Sequence, residues 1–172
     1  MEQEPLEIER KFLIRRPAEK LLLEKSERRI GITQIYLTRG EAGETRRLRR
    51  SRVNGEEIFY YTEKLRLTDR TRIERERTLS REEFESLLPE ADPERQPIEK
   101  TRWCVPWEGH TLEIDVFPFW QNWAFCEVEL SAENEALSLP PWLEVLREVT
   151  ADPRFTNSAL AREIPVDTEE KA

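Results

Sequence analysis

The sequence predicts an α+β domain built on eight antiparallel strands, and three observations carry that prediction. Polar or charged residues recur at every second position in short segments along the chain, which gives strands with one polar face and one apolar face. Turn signals, "GEAG" (40–43), "NGE" (54–56) and "EGH" (108–110), separate several of these segments by so few residues that hairpins must connect them. Helical patterns are confined to the gaps between the strands and to the C-terminal part.

The first strand, 6–14, is "LEIERKFLI", with Glu7, Glu9 and Lys11 on one parity. "PAEKLLLEKSERR" (17–29) begins with Pro17, carries an apolar stripe and predicts a helix. A second strand follows over 33–39, polar on one parity through Gln34, Tyr36 and Thr38. Strands at 45–52, 57–66 and 71–79 align Arg47 with Arg49, Thr62 with Lys64, and Arg72 with Glu74 and Glu76. "SREEFESLLPE" (80–90) opens with Ser80 three residues before Glu83, a capping box, and predicts a helix that ends near Pro89. After the proline-punctuated loop 89–97 come strands at 98–105, 111–117 and 124–131. These align Lys100 with Arg102, Glu113 with Asp115, and Glu127 with Glu129. Shorter helices are expected at 140–149 and 157–163, before an acidic tail over 164–172.

With 172 residues the chain is read as a single domain, 1–172, with its core over about 6–163. It is 37% hydrophobic and 37% charged, so many charges must find places other than solvated loops. The net charge of -8 argues against bulk attraction to nucleic acid or an anionic membrane. The longest apolar run is too short to span a bilayer, and the acidic N-terminus lacks an apolar signal segment; a cytoplasmic protein is expected. Cys104 and Cys126 are too few for a disulfide framework or a structural zinc site, and their parities point them to opposite faces.

Two arrangements accommodate the charged faces. An open sheet would leave them in water, with helices on the other side. A closed antiparallel barrel would turn the apolar faces outward under helices and line a wet lumen with the charges. Unpaired ions in a dry interior would cost several kcal/mol each, so such a lumen must hold water, metal ions or a charged ligand. The set contains seven basic and eight acidic groups. The basic groups could neutralise a polyanion, and the pairs Glu7/Glu9 and Glu127/Glu129 are hard oxygen ligands suited to Mg²⁺ or Mn²⁺. Phosphate together with a divalent metal uses both sets.

The residues also resemble a known family. "EIERK" is similar to the Glu-x-Glu-x-Lys motif of the CYTH superfamily, the triphosphate tunnel metalloenzymes. Arg-Leu-Arg (47–49), Thr-Glu-Lys (62–64), Arg-Ile-Glu-Arg-Glu (72–76), "EKTR" (99–102), "LEIDVF" (112–117), "CEVEL" (126–130) and "RFTNSALA" (154–161) follow in that family's order. The resemblance implies an eight-stranded antiparallel barrel forming a tunnel with a charged lumen and helices packed outside. It implies triphosphate held by Lys11, Arg47, Arg49, Lys64, Arg72, Lys100 and Arg102, residue types suited to phosphate oxygens. It also implies metal held by Glu7, Glu9, Glu127 and Glu129 with Asp115 and Glu113 beside them. Glu74 and Glu76 would bind a second ion or orient the attacking water. Lys11, Glu7, Glu9 and Glu76 are the candidate catalytic groups. Ser158 departs from relatives that carry lysine in the segment after the Asn.

The opening "EIERKF" is most similar to the short bacterial inorganic triphosphatase branch. The expected activity is therefore Mg²⁺- or Mn²⁺-dependent hydrolysis of triphosphate compounds, inorganic tripolyphosphate foremost. Thiamine triphosphatase or class IV adenylyl cyclase activity is the alternative, and a polyphosphate- or nucleic-acid-binding module is the reading outside enzymes. The carboxylates discriminate against that module, which needs only the basic groups. The expected partner is a small triphosphate, with no membrane; a homodimer is left open. His110, in a predicted turn, and the five tryptophans are assigned to the surface and to barrel packing.

Overall fold

A computed structural model describes residues 3–168. Eight strands form a closed antiparallel barrel: β1 (Leu6–Arg15), β2 (Arg28–Tyr36), β3 (Thr45–Val53), β4 (Glu56–Arg66), β5 (Thr71–Leu79), β6 (Ile98–Trp107), β7 (His110–Val116) and β8 (Trp123–Glu129). Their order is β5-β4-β3-β2-β6-β7-β8-β1, and a short β1–β5 ladder closes the ring through Glu7↔Arg72. The two tight hairpins arise where the sequence signals them. Asn54 and Gly55 (φ 51 and 82) turn β3 into β4, and Glu108 and Gly109 (φ 45 and 79) turn β6 into β7. Consecutive positive φ values match the twist of a two-residue hairpin, and glycine takes that conformation without a Cβ penalty.

Closure decides between the two arrangements that the charge pattern allowed, because alternate residues on every strand now face a common interior. On β1, β7 and β8 the outward parity is apolar and covered, and β3, β4 and β5 each add covered apolar residues to it. Phe12, Ile14, Leu112, Ile114, Cys126 and Val128 form one outer cluster beneath Leu22 of α1 (Glu19–Lys25) and Leu143. Leu48, Phe59 and Leu79 form another beneath Phe84 of α2 (Arg81–Leu87). The Ser80–Glu83 capping box starts α2 as expected. Inside, Leu13, Tyr36, Ile98 and Phe125 pack with Phe117, Trp120, Trp123 and Phe155 into an aromatic plug beside the charged band. Full burial of each such side chain contributes about 1.5–3 kcal/mol.

Four expected elements differ. The second strand occupies 28–36 rather than 33–39, and the preceding helix ends at Lys25 rather than near Arg29. Residues 28–34 pair with β6, and Ile30 and Ile32 share an apolar contact with Cys104. That strand pairing overrides the end of the helical pattern at 28–29. The third difference is at 140–149, which is not a helix: Val145–Glu148 forms a ninth strand, β9. It pairs with β1 at Phe12–Ile14, beyond the reach of the β1–β5 ladder. The backbone groups on that edge of β1 need partners, and β9 supplies them, including Val149 N–H to Lys11 O at 2.8 Å. The last helix, α3 (Asn157–Leu160), is shorter than expected.

Candidate functional site

Inside the barrel the charged side chains share one cavity of roughly 570 Å³. β1 contributes Glu7, Glu9 and Lys11; β3 contributes Arg47 and Arg49; β4 contributes Thr62 and Lys64; β5 contributes Arg72, Glu74 and Glu76. β6, β7 and β8 add Arg102, Glu113, and Glu127 with Glu129. Register explains the convergence: Lys11 lies across from Glu127, Glu127 from Glu113, and Arg102 from Asp115. Arg46, Arg50 and Arg52 point outward. Arg46 donates to Tyr61 Oη and Glu90 Oε1, both at 2.9 Å, and the other two lie near Glu57.

Three carboxylates of β1 and β8, Glu7, Glu9 and Glu127, are matched to cations. Lys64 Nζ donates to Glu7 Oε2 at 2.8 Å and lies 3.7 Å from Glu74. Arg72 Nη1 donates to Glu9 Oε1 at 2.8 Å, and Lys11 Nζ lies 3.2 Å from Glu127 Oε1. Even so, burial together with the Glu127 and Glu7 charges raises the Glu9 pKa to about 7. Burial pushes Glu127 the other way from the result. Lys11, Arg102, Lys100 and Lys64 outweigh it and hold that carboxyl well below its ordinary range.

The basic wall is not matched in this way. Arg47 and Arg49 have Nε atoms that are buried without a hydrogen-bond partner among the described residues. Burial, followed by repulsion from Arg47 and Arg102, lowers the Arg49 pKa to about 10.

Two predicted residues do not line the cavity. Lys100 Nζ donates to Asp115 Oδ2 at 2.6 Å, and both side chains are wholly buried beneath it. Asp115 also accepts from Arg102 Nε and Nη2 at 2.8 and 2.9 Å, and so fixes the guanidinium that does reach the cavity. With both oxygens taken by these cations, Asp115 is placed as a clamp. Glu76 and Glu129 line the cavity from its exposed edge, where Thr62 Oγ1 donates to Glu76 Oε2 at 2.9 Å. His110 begins β7 and contacts Glu135 outside the cavity. Arg39, Arg95, Arg162 and Tyr36 also line the cavity, although sequence reasoning did not single them out for it. The three arginines lie at strand ends or in loops, where no alternation marks a face.

No three His, Cys, Asp or Glu side chains among the described residues converge as a metal-binding group, because the acids turn toward Lys11, Lys64 and Arg72. The donor chemistry nevertheless fits a hard divalent cation. All donors are carboxylate oxygens, Glu127 Oε1 is buried without a hydrogen bond among the described residues, and Glu9 is destabilised as an anion.

Residues 5–149 match the CYTH domain. The chain belongs to that family. This CYTH chain is 36% identical to an inorganic triphosphatase of Acetivibrio thermocellus over 94 residues, 49% of this chain and 58% of that protein. It is 39% identical to one of Nitrosomonas europaea over 88 residues, 48% and 55% of the two chains. The matched stretches thus span little more than half the length of these curated relatives. The crystal structure of the inorganic triphosphatase NE1496 is similar throughout, at 30% identity, 96% and 99% coverage of the two chains and a TM-score of 0.57. The PH1819 protein of Pyrococcus horikoshii shares the fold at 21% identity and a TM-score of 0.57, over 74% of this chain and 80% of that one.

Proposed function

We propose that this CYTH domain hydrolyses triphosphate compounds, inorganic tripolyphosphate in preference to nucleotides, with Mg²⁺ or Mn²⁺. The observation that supports this most directly is the pairing pattern. Unmatched arginines on β3 face carboxylates that are matched only by lysine and arginine side chains. A metal–triphosphate gives both members of each such pair a new partner: phosphate oxygens for Lys11, Lys64 and Arg72, and a cation for Glu7, Glu9 and Glu127. Relatives named inorganic triphosphatase support the same reading.

Glu7, Glu9, Glu127 and Glu129 would hold the cation, with Glu113 and Glu74 at hand. When bound, it supplies charge neutralisation on phosphate and acidifies water for attack. The chain's own residues do the positioning. Arg47, Arg49, Arg72 and Arg102 offer forked donors that keep the anhydride oxygens fixed, and their charge stabilises the leaving phosphate. Asp115 and Lys100 hold Arg102 in place from below. Glu76, fixed by Thr62, orients the attacking water, and Lys11 holds the departing group. Water adds to the terminal phosphorus and gives up a proton to solvent as the bridging P–O bond breaks, and the leaving diphosphate takes the bonding pair.

Among the described residues no helix is long and apolar enough to cross a membrane, and both cysteines are free and buried. A reducing compartment, the cytoplasm, suits them. Assaying tripolyphosphate, ATP and thiamine triphosphate with each metal, for phosphate and for cyclic AMP, tests the proposal. Phosphate release should be fastest from tripolyphosphate and should stop on chelation. Full turnover after chelation, or cyclic AMP as the main product from ATP, would overturn it.

A further inference from the structure

At the rim toward α3 the charged groups of the cavity lining are all basic, set among uncharged residues such as Tyr36, Thr156 and Asn157. Arg39 follows β2, Arg95 sits in the loop before β6, and Arg162 follows α3; all three line the same cavity as the phosphate cradle. Arg39 and Arg162 are exposed, whereas the Arg95 side chain is only 3% exposed. Its Nε and Nη1 are buried without a hydrogen-bond partner among the described residues. The nearby acids do not resolve this. Asp92 Oδ2 is 3.7 Å from both Arg95 Nε and Arg162 Nη2, beyond hydrogen-bond range, and Glu94 lies 3.3 Å from Arg162. Neither acid lines the cavity. Burial first, then repulsion from Arg162 and Arg39, lowers the pKa of Arg95. A buried guanidinium that faces two like charges and keeps two donors unused is costly without an anion to accept from it.

We propose that Arg39, Arg95 and Arg162 form a second anion subsite, which takes the far phosphoryl groups of a linear polyphosphate longer than three units. The inference rests on the triphosphatase reading, because the reacting end lies in the β1–β3–β5 cradle while the rest of the chain reaches the rim. Polyphosphate suits this rim better than a nucleoside or thiamine, which would set an uncharged or cationic group against unused arginine donors. Hydrolysis keeps the same balance: one bridging P–O bond breaks, one P–O bond to water forms with a proton released to solvent, and the shortened chain leaves with the electron pair.

The test compares tripolyphosphate with linear hexapolyphosphate, for the wild-type chain, Arg95→Gln and the double variant Arg39→Gln/Arg162→Gln. The exposed double variant keeps the question answerable if the buried substitution prevents folding. In metal-free titration calorimetry the wild type should bind hexapolyphosphate about tenfold more tightly than tripolyphosphate, and either variant should shrink that advantage to about twofold. With metal, the ratio of kcat/KM for the longer over the shorter chain should fall in parallel. An equal advantage in wild type and variants, or none in wild type, overturns the subsite. Absence of phosphate release from both substrates overturns the triphosphatase reading instead and leaves the calorimetry to judge the subsite.

Discussion

Arg49 and Arg102 project into one cavity from strands of one barrel, yet their surroundings are opposite. Arg102 is gripped by Asp115 through two hydrogen bonds and lies 2.6 Å from Glu113. Burial works against its charge, but Asp115 and Glu113 outweigh it and hold the guanidinium well above its ordinary pKa. Arg49 has an orphaned Nε and is lowered to about 10, first by burial and then by Arg47 and Arg102. The difference separates two uses of buried charge. A charge whose partners are supplied by the fold holds the fold in place. One whose partners are withheld is prepared for a ligand, and the fold bears its cost.

The largest expected effect falls on the satisfied side. Asp115→Asn should lower unfolding free energy by about 3–5 kcal/mol, because it leaves Lys100 and Arg102 buried without their shared counter-ion. Denaturant unfolding of the metal-free protein measures this, and an unchanged midpoint would dissolve the contrast.

Next in size is the unsatisfied side. Arg49→Ala should cut tripolyphosphate kcat/KM by roughly 10²–10³, the scale for one preorganised charge-stabilising donor. Metal-free stability should hold or rise, since repulsion with Arg47 and Arg102 is removed. Lys64 marks a boundary. As a basic lumen residue it invites the same expectation, but its ion pairs with Glu7 and Glu74 mean that Lys64→Ala should lose stability along with activity. A stability gain in Lys64→Ala would show those pairs to be immaterial.

Glu9 gives a smaller, pH-dependent version of the comparison. Its folded pKa is raised from 4.5 to about 7, so its favourable contribution is complete below about pH 4.5 and is lost as pH rises through 7. Metal-free stability should therefore fall across that window by on the order of 2 kcal/mol, and Glu9→Gln should flatten the fall. Mg²⁺ should flatten it too. Identical pH profiles for wild type and Glu9→Gln would remove Glu9 from the charges that the metal-free cavity destabilises.

The strands and their charged face were legible because both follow from period-two alternation, which allowed an open sheet as well as a barrel; the resemblance to the CYTH motifs, not the alternation, pointed to the barrel. Once Glu113, Glu127 and Lys11 share a parity, register brings them together. Alternation could not rank depth within a face. Lys100 and Asp115 share the parity of the cavity residues and still lie beneath it, because nearness to the aromatic plug depends on packing between distant strands. Nor could it find Arg95, whose place is set by a loop. The 140–149 segment misled for a related reason: its apolar spacing allows a helix, and the uncovered edge of β1 drew it into a strand.

The smallest expected effect decides which side Glu76 belongs to. It stands at the exposed edge of the cavity, and its side chain accepts from Thr62, which is wholly buried. Thr62→Val keeps the β-branched shape and removes that donor. If Glu76 were scaffold, like Asp115, the loss would appear in stability. As a group that orients water it has little to lose there, since solvent replaces the missing donor at the cavity edge. Unfolding free energy should change by no more than about 1 kcal/mol, the net worth of one such bond. The kcat for tripolyphosphate should fall about fivefold with KM little changed, because the freed carboxylate samples rotamers that no longer align the attacking water. Unchanged kcat with a marked stability loss would move Glu76 to the scaffold and leave the positioning of water to other residues.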